Sequence, residues 1–135
     1  MCRSLSISVQ IPSDEAHGPL GRLRRHFEAL KRDFARAGWS GGCSLGMLGQ
    51  ELADRDAGAR DTLSTIFGRW RHRIADCLRE ARDHGQLRPS VDCDELASFV
   101  LDGWEGALMQ MKLRKSGAPI DTFLRVAFEQ LLIRR

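Results

Sequence analysis

At 135 residues, with 42% apolar and 29% charged residues, the chain has the size and composition of one globular domain and not of a disordered segment. Twenty-one Lys and Arg against 18 Asp and Glu leave a net charge of +3, too mild to argue for nucleic-acid binding by itself. No apolar run approaches the ~18 residues of a membrane span, and residues 1–12 have neither a continuous apolar stretch nor a small-residue cleavage site, so no secretory signal is expected.

The only alternating, strand-like stretch is 4–11 (Leu5, Ile7, Val9, Ile11), and a lone strand has no partner. Residues 1–17 are therefore read as a flexible lead-in to a domain spanning 18–135. A first helix is expected over about 19–37. Pro19 suits its first turn, and Leu20, Leu23, Phe27, Leu30 and Phe34 form one apolar stripe. Its other face is basic: residues 20–36 hold six basic against two acidic side chains, among them Arg22, Arg24, Arg25, Lys31, Arg32 and Arg36. Gly38 is a stop signal. A short helix follows over about 43–53, weakened by Gly46 and Gly49 and so dependent on packing.

The longest helix is expected over about 59–84, with Leu63, Ile66, Phe67, Trp70, Ile74, Cys77, Leu78 and Ala81 in register. Gly85 and Pro89 end it. Asp92 or Asp94 caps a fourth helix over about 93–115, and Glu95, three residues after Asp92, resembles a capping box. That helix is apolar on more than one side, which marks it as central or interfacial. Pro119 opens the last helix, over about 119–133, with Ile120, Phe123, Leu124, Ala127, Phe128, Leu131 and Leu132 on its buried side. The fold class is all-α, built of five helices.

Chemistry is sparse. Cys2, Cys43, Cys77 and Cys93 contain no C-x-x-C pair and have no adjacent His, so neither a metal site nor a cofactor is expected, and reduced thiols in a cytoplasmic protein are the simplest reading. Gly41 and Gly46 have phosphate-loop spacing, but Met47 stands where that loop needs Lys and no strand precedes it. Cys43, expected at a helix N-terminus, is either a reactive thiolate or a small buried residue. No Ser-His-Asp, Cys-His or carboxylate pair is apparent, and no enzyme is expected. Trp70 and Trp104, with Phe67, Met109 and Met111 nearby, either fill a core or line an apolar cavity. Gly103, Gly106 and Ala107 allow close helix approach and suggest self-association.

The order of features is a basic amphipathic helix, then Gly42-Cys43-x-x-Gly46-x-x-Gly49-x-Glu51-Leu52. A long helix with Phe67 and Trp70 follows, ending at Gly85-Gln86-Leu87-Arg88, and then Leu96-Ala97-x-Phe99 and Trp104-Glu105-Gly106-Ala107-Leu108-Met109. From about 18 to 132 this resembles the C-terminal ligand-binding and dimerisation domain of TetR-family transcriptional regulators. The resemblance implies a repressor's effector-sensing half, in a homodimer whose last two helices form a four-helix bundle, binding a small apolar or reactive effector. Carried onto this chain, Phe27, Cys43, Met47, Leu48, Phe67, Trp70 and Trp104 become ligand-site candidates. Gly103, Ala107, Leu108, Met111, Phe123, Ala127 and Phe128 become dimer candidates. Family members read DNA through an N-terminal helix-turn-helix head; residues 1–19 do not match one, so DNA contact is expected only through such a head.

Alternative readings are a dominant-negative partner of a full-length regulator, a small helical ligand-binding protein using Cys43, and direct nucleic-acid binding by the basic helix face. A solvated face is the better account of that last feature.

Overall fold

Apolar side chains repeating every three or four residues wind the chain into helices that must bury one stripe each, and among the described residues five such helices close around a shared core. The computed structural model describes residues 18–134. The lead-in and strand-like stretch read over 1–17 lie outside the described residues. The helices are α1 (Gly18–Arg36), α2 (Ser44–Leu52), α3 (Ala57–Asp83), α4 (Cys93–Arg114) and α5 (Ala118–Val126), the last continuing as one π-helical turn, Ala127–Leu131. No strand occurs among the described residues.

Side chains satisfy the free amides at several helix starts. The Leu20 amide of α1 donates to the Gln86 side-chain oxygen at 3.2 Å, so the α3–α4 connection caps α1 across the fold. Asp56 accepts from the Ala59 amide ahead of α3. Asp92 accepts from both Asp94 and Glu95 ahead of α4, the arrangement that the Asp92–Glu95 spacing suggested. The 27-residue α3 runs roughly 40 Å at ~1.5 Å per residue. It packs against α1, α2 and α4, while α4 packs against α3 and α5.

The core is aromatic at its centre. Phe27 is 0% exposed and Trp104 1%. Their rings lie 4.7 Å apart, and Phe123 meets Phe27 edge-on at 5.6 Å. His26 is the one buried polar side chain among the described residues, and its Nε2 has no hydrogen-bond partner. Burial pushes its pKa down to about 4.

Two turns lock together. Gly117, at the α4–α5 turn, lies under the Trp39 ring, and a Cβ at Gly117 would collide with that ring. Glycine is required there for close approach.

The basic face of α1 is largely neutralised. Arg22 pairs with Glu80 at 2.6 Å, Arg24 with Glu28 and Glu129, Lys31 with Asp121, and Arg36 with Asp33. Several of these pairs tie α1 to α3 and α5, and they leave little free charge for a phosphate backbone.

The last helix departs from a continuous α-helix over 119–133. Its π turn inserts one extra residue into the cycle, closed by the Leu132 amide donating to the Ala127 carbonyl at 2.7 Å. Leu132, 1% exposed, reaches the core, whereas Leu131, expected on the buried side, is 44% exposed.

Candidate functional site

Two concave features flank α4. The first is a cleft of about 620 Å³ between α2, α3 and α4, within the roughly 300–1,000 Å³ usual for small-molecule sites. Its floor on α2 is bare because Gly46 and Gly49, three residues apart, share one face. Leu63 and Phe67 of α3 and Leu101 of α4 give it an apolar wall. Arg60, Arg71, Asp102 and Glu105 supply its charges.

Glu105 is the distinctive group. Its Oε1 would lie 3.1 Å from a Cβ placed on Gly46, so the glycine is what lets the carboxyl sit over α2. Burial pushes the Glu105 pKa up, and a hydrogen bond from the Cys43 thiol partly opposes the rise. Oε1 is shielded from water and has no hydrogen-bond partner; the same holds for Arg71 Nε.

Cys43 precedes α2 as its N-cap, buried beside this carboxyl. Burial, then the Glu105 charge, pushes its pKa up to about 12, outweighing the Gly46 and Leu45 amides that favour the thiolate. Of the two readings of Cys43, a reactive thiolate or a small buried residue, its burial and raised pKa favour the second. Burial likewise raises Cys77, to about 11, and Cys93. No group of His, Cys, Asp or Glu suited to a metal ion occurs among the described residues.

The second feature is an apolar groove of about 490 Å³ between α4 and α5, lined by Phe99, Gly103, Gly106, Ala107, Phe123 and Ala127, among others. The Gly103 backbone meets the Phe123 ring closely. Phe99 is 61% exposed at its edge, and Met109 and Leu113 elsewhere on α4 are also exposed.

Against the sequence expectations, the structure divides the ligand-site candidates. Phe67 lines the cleft and stacks on buried Trp70 at 6.3 Å. Cys43 lies at its edge through Glu105. Phe27 and Trp104 are packed into the aromatic core and do not line the cleft. Met47 and Leu48 point to solvent from the outer side of α2, and Met47 Sδ accepts from Lys112 Nζ. Among the dimer candidates, Gly103, Ala107, Phe123 and Ala127 line the groove. Leu108 and Met111 turn inward and are buried, and Phe128 packs against Phe27 under Arg24.

Sequence reasoning missed Arg71 and Glu105. The available signal was the pairing of glycines at 46 and 49 with a lone Glu inside an otherwise apolar segment of α4.

Fold and site together define an all-helical domain organised on one central helix, with a mixed polar–apolar cleft on one side and an apolar groove on the other. A family model for the tetracyclin repressor-like, C-terminal domain matches residues 19–127, and the chain belongs to that family. The chain is similar to the HTH-type transcriptional repressor DhaR of Mycobacterium sp. (strain GP1), at 32% identity over 130 residues, covering 96% of this chain and 62% of that protein. It is also similar to the transcriptional regulator AcuR of Cereibacter sphaeroides, at 36% identity over 112 residues, covering 83% of this chain and 51% of that protein. The crystal structure of the regulatory protein TetR from Rhodobacter sphaeroides superposes with a TM-score of 0.86 at 32% identity, over 95% of this chain and 68% of that one. The chain thus spans between half and two-thirds of the length of these two curated relatives. Both are named as regulators of transcription and not as enzymes. Among the described residues no helix is long and apolar enough to cross a membrane.

Proposed function

We propose that residues 18–134 act as the effector-sensing and dimerisation domain of a TetR-like transcriptional repressor working in the cytoplasm. The observation that carries this reading is that α4 belongs to both concave features. Leu101, Asp102 and Glu105 face the cleft, and Phe99, Gly103 and Gly106 face the groove. A small molecule that binds one α4 position better than another shifts the arrangement of the groove side, and so the pairing of two copies.

Two-fold pairing through the groove covers Phe99 and Leu131, exposed apolar side chains that line it. The dimer candidates are accordingly Phe99, Gly103, Ala107, Phe123 and Ala127, with Leu108 and Met111 supporting them from within. Operator reading requires a recognition helix in the major groove; that role is assigned to a helix-turn-helix segment other than α1–α5.

Size-exclusion chromatography with light scattering tests the pairing. A dimer of twice 15.2 kDa is expected at micromolar concentration, with Phe99→Asp shifting it to monomer while the helical circular-dichroism signal persists. A clean wild-type monomer under those conditions refutes the reading.

A further inference from the structure

We propose that α2 is a flap over the cleft between α2, α3 and α4, pivoting on its C-terminal end and latched shut at its N-terminal end by the Glu105 carboxyl of α4. The purpose of the flap, admitting an effector, rests on reading this cleft as the effector site; the motion itself is tested without any effector.

The two ends of α2 are held unequally. At the C-terminal end, Arg60 Nη1 donates to the Ala53 carbonyl at 2.6 Å, and the Arg55 and Asp56 amides donate to the Leu52 carbonyl at 3.1 and 2.9 Å. These bonds fix the end of α2 to the start of α3. At the N-terminal end, Cys43 makes no side-chain cap. The connection before it runs through left-handed backbone at Gly38, Trp39, Gly41 and Gly42, and a Cβ on Gly41 or Gly42 meets nothing within 4 Å. Two adjacent glycines with open space around them can swivel. The far anchor of this connection is Trp39, wedged over Gly117. Residues 40–52 are thus strung between two fixed points.

Little burial holds this stretch closed. Of the nine residues of α2 only Leu45 is buried, and the side facing the cleft carries Gly46 and Gly49. Segments with few buried apolar contacts open before the rest of a fold. The tie to α4 is polar. The Glu105 carboxyl rests on Gly46, with Oε1 3.1 Å from a Cβ placed there, and it takes the Cys43 thiol. Lys112 Nζ adds a contact to Met47 Sδ at 3.1 Å. Cys43 and Gly46 both lie at the start of α2, at the end opposite the pivot. The latch is borne by the helix that also lines the groove, so an occupant that lifts α2 releases a contact on α4.

Cys43 reports the latch, because it is 8% exposed with α2 closed and a reagent reaches it only when α2 lifts. The test is alkylation of the full chain by iodoacetamide, followed peptide by peptide in a mass spectrometer, with Cys77, buried in α3, as the internal reference. Cys43 is expected to react at least about tenfold faster than Cys77, at a rate that barely changes across low, non-denaturing urea, since a local opening exposes little surface. Glu105→Ala should speed Cys43 about tenfold and leave Cys77 unchanged, while Glu105→Gln, which keeps an acceptor oxygen, should stay near the wild-type rate. The wild-type comparison decides the matter alone if Glu105→Ala does not fold. Neither measurement bears on the pairing of two copies, which chromatography reads by itself, so the flap and the sensing-domain reading fail separately. A wild-type Cys43 no faster than Cys77, or rising with urea as steeply, overturns the proposal, as does a folded Glu105→Ala chain that speeds both cysteines equally or neither.

Discussion

Replacing Phe27 by alanine should cost the domain about 4 kcal/mol, which separates a packed core from a ligand pocket at the position where the two readings compete. Phe27 is 0% exposed and sits among Trp104 at 4.7 Å, Phe123 at 5.6 Å and Phe128 at 6.4 Å. Moving a buried aromatic side chain out of the core loses roughly 1.5–3 kcal/mol of transfer free energy. The space left between three rings held on α4, α5 and the π turn collapses poorly, and Phe→Ala losses then reach roughly 3–5 kcal/mol. For a domain of this size each kcal/mol lowers Tm by roughly 3–6 °C, giving a fall on the order of 15 °C. Urea unfolding followed by far-ultraviolet circular dichroism at one fixed protein concentration measures it, since pairing would make the midpoint concentration-dependent. A loss below about 1.5 kcal/mol with an unchanged m-value would refute the packed-core account, because only a position already lined by empty space can give up a phenyl ring so cheaply.

Two further outcomes follow from buried groups and close contacts. The His26 pKa is held near 4 in the fold against an ordinary 6.5, so the unfolded chain binds more protons between those values and stability falls as pH drops from about 6.5 to about 4. That loss is about 3 kcal/mol and adds nothing further below pH 4. His26→Gln should flatten this part of the profile in pH-dependent urea melts, and an unchanged slope would rule out His26 as its source. The raised Glu105 works in the opposite direction and is common to both proteins, so their difference isolates His26. Gly117→Ala should cost about 1–3 kcal/mol by thermal melting, because the new methyl group meets the Trp39 ring; a neutral result would mean that the two turns are not packed together.

Most of the fold was legible because helix periodicity is a local signal. The stripes of α1 and α3, the Asp92 cap and the stops at Gly38 and Gly85 all fall within two residues of the expected positions. What was not legible depends on which side of an apolar helix meets which neighbour. The fourth helix is apolar nearly all round, so its pattern could not distinguish Leu108 and Met111, which face inward, from Phe99, Met109 and Leu113, which face out. The exposure of Leu131 was hidden for another reason, since a π turn shifts the register without a sequence marker of its own. In the cleft, aromatic residues drew attention as cavity walls, yet Phe27 and Trp104 were recruited by each other. The charged groups of the cleft, Arg60, Arg71, Asp102 and Glu105, come from α3 and α4, whose meeting no single segment encodes.

The chain has no Tyr and only three Trp, so its intrinsic emission comes from three separate stations. Trp39 reports the joint between two turns over Gly117. Trp104 reports the centre of the core. Trp70 stacks on Phe67, whose ring is part of the cleft wall. Double Trp→Phe variants would therefore give three optical probes of one molecule. A ligand entering the cleft would alter the Trp70 signal, loss of the core would alter Trp104, and separation of the turns would alter Trp39.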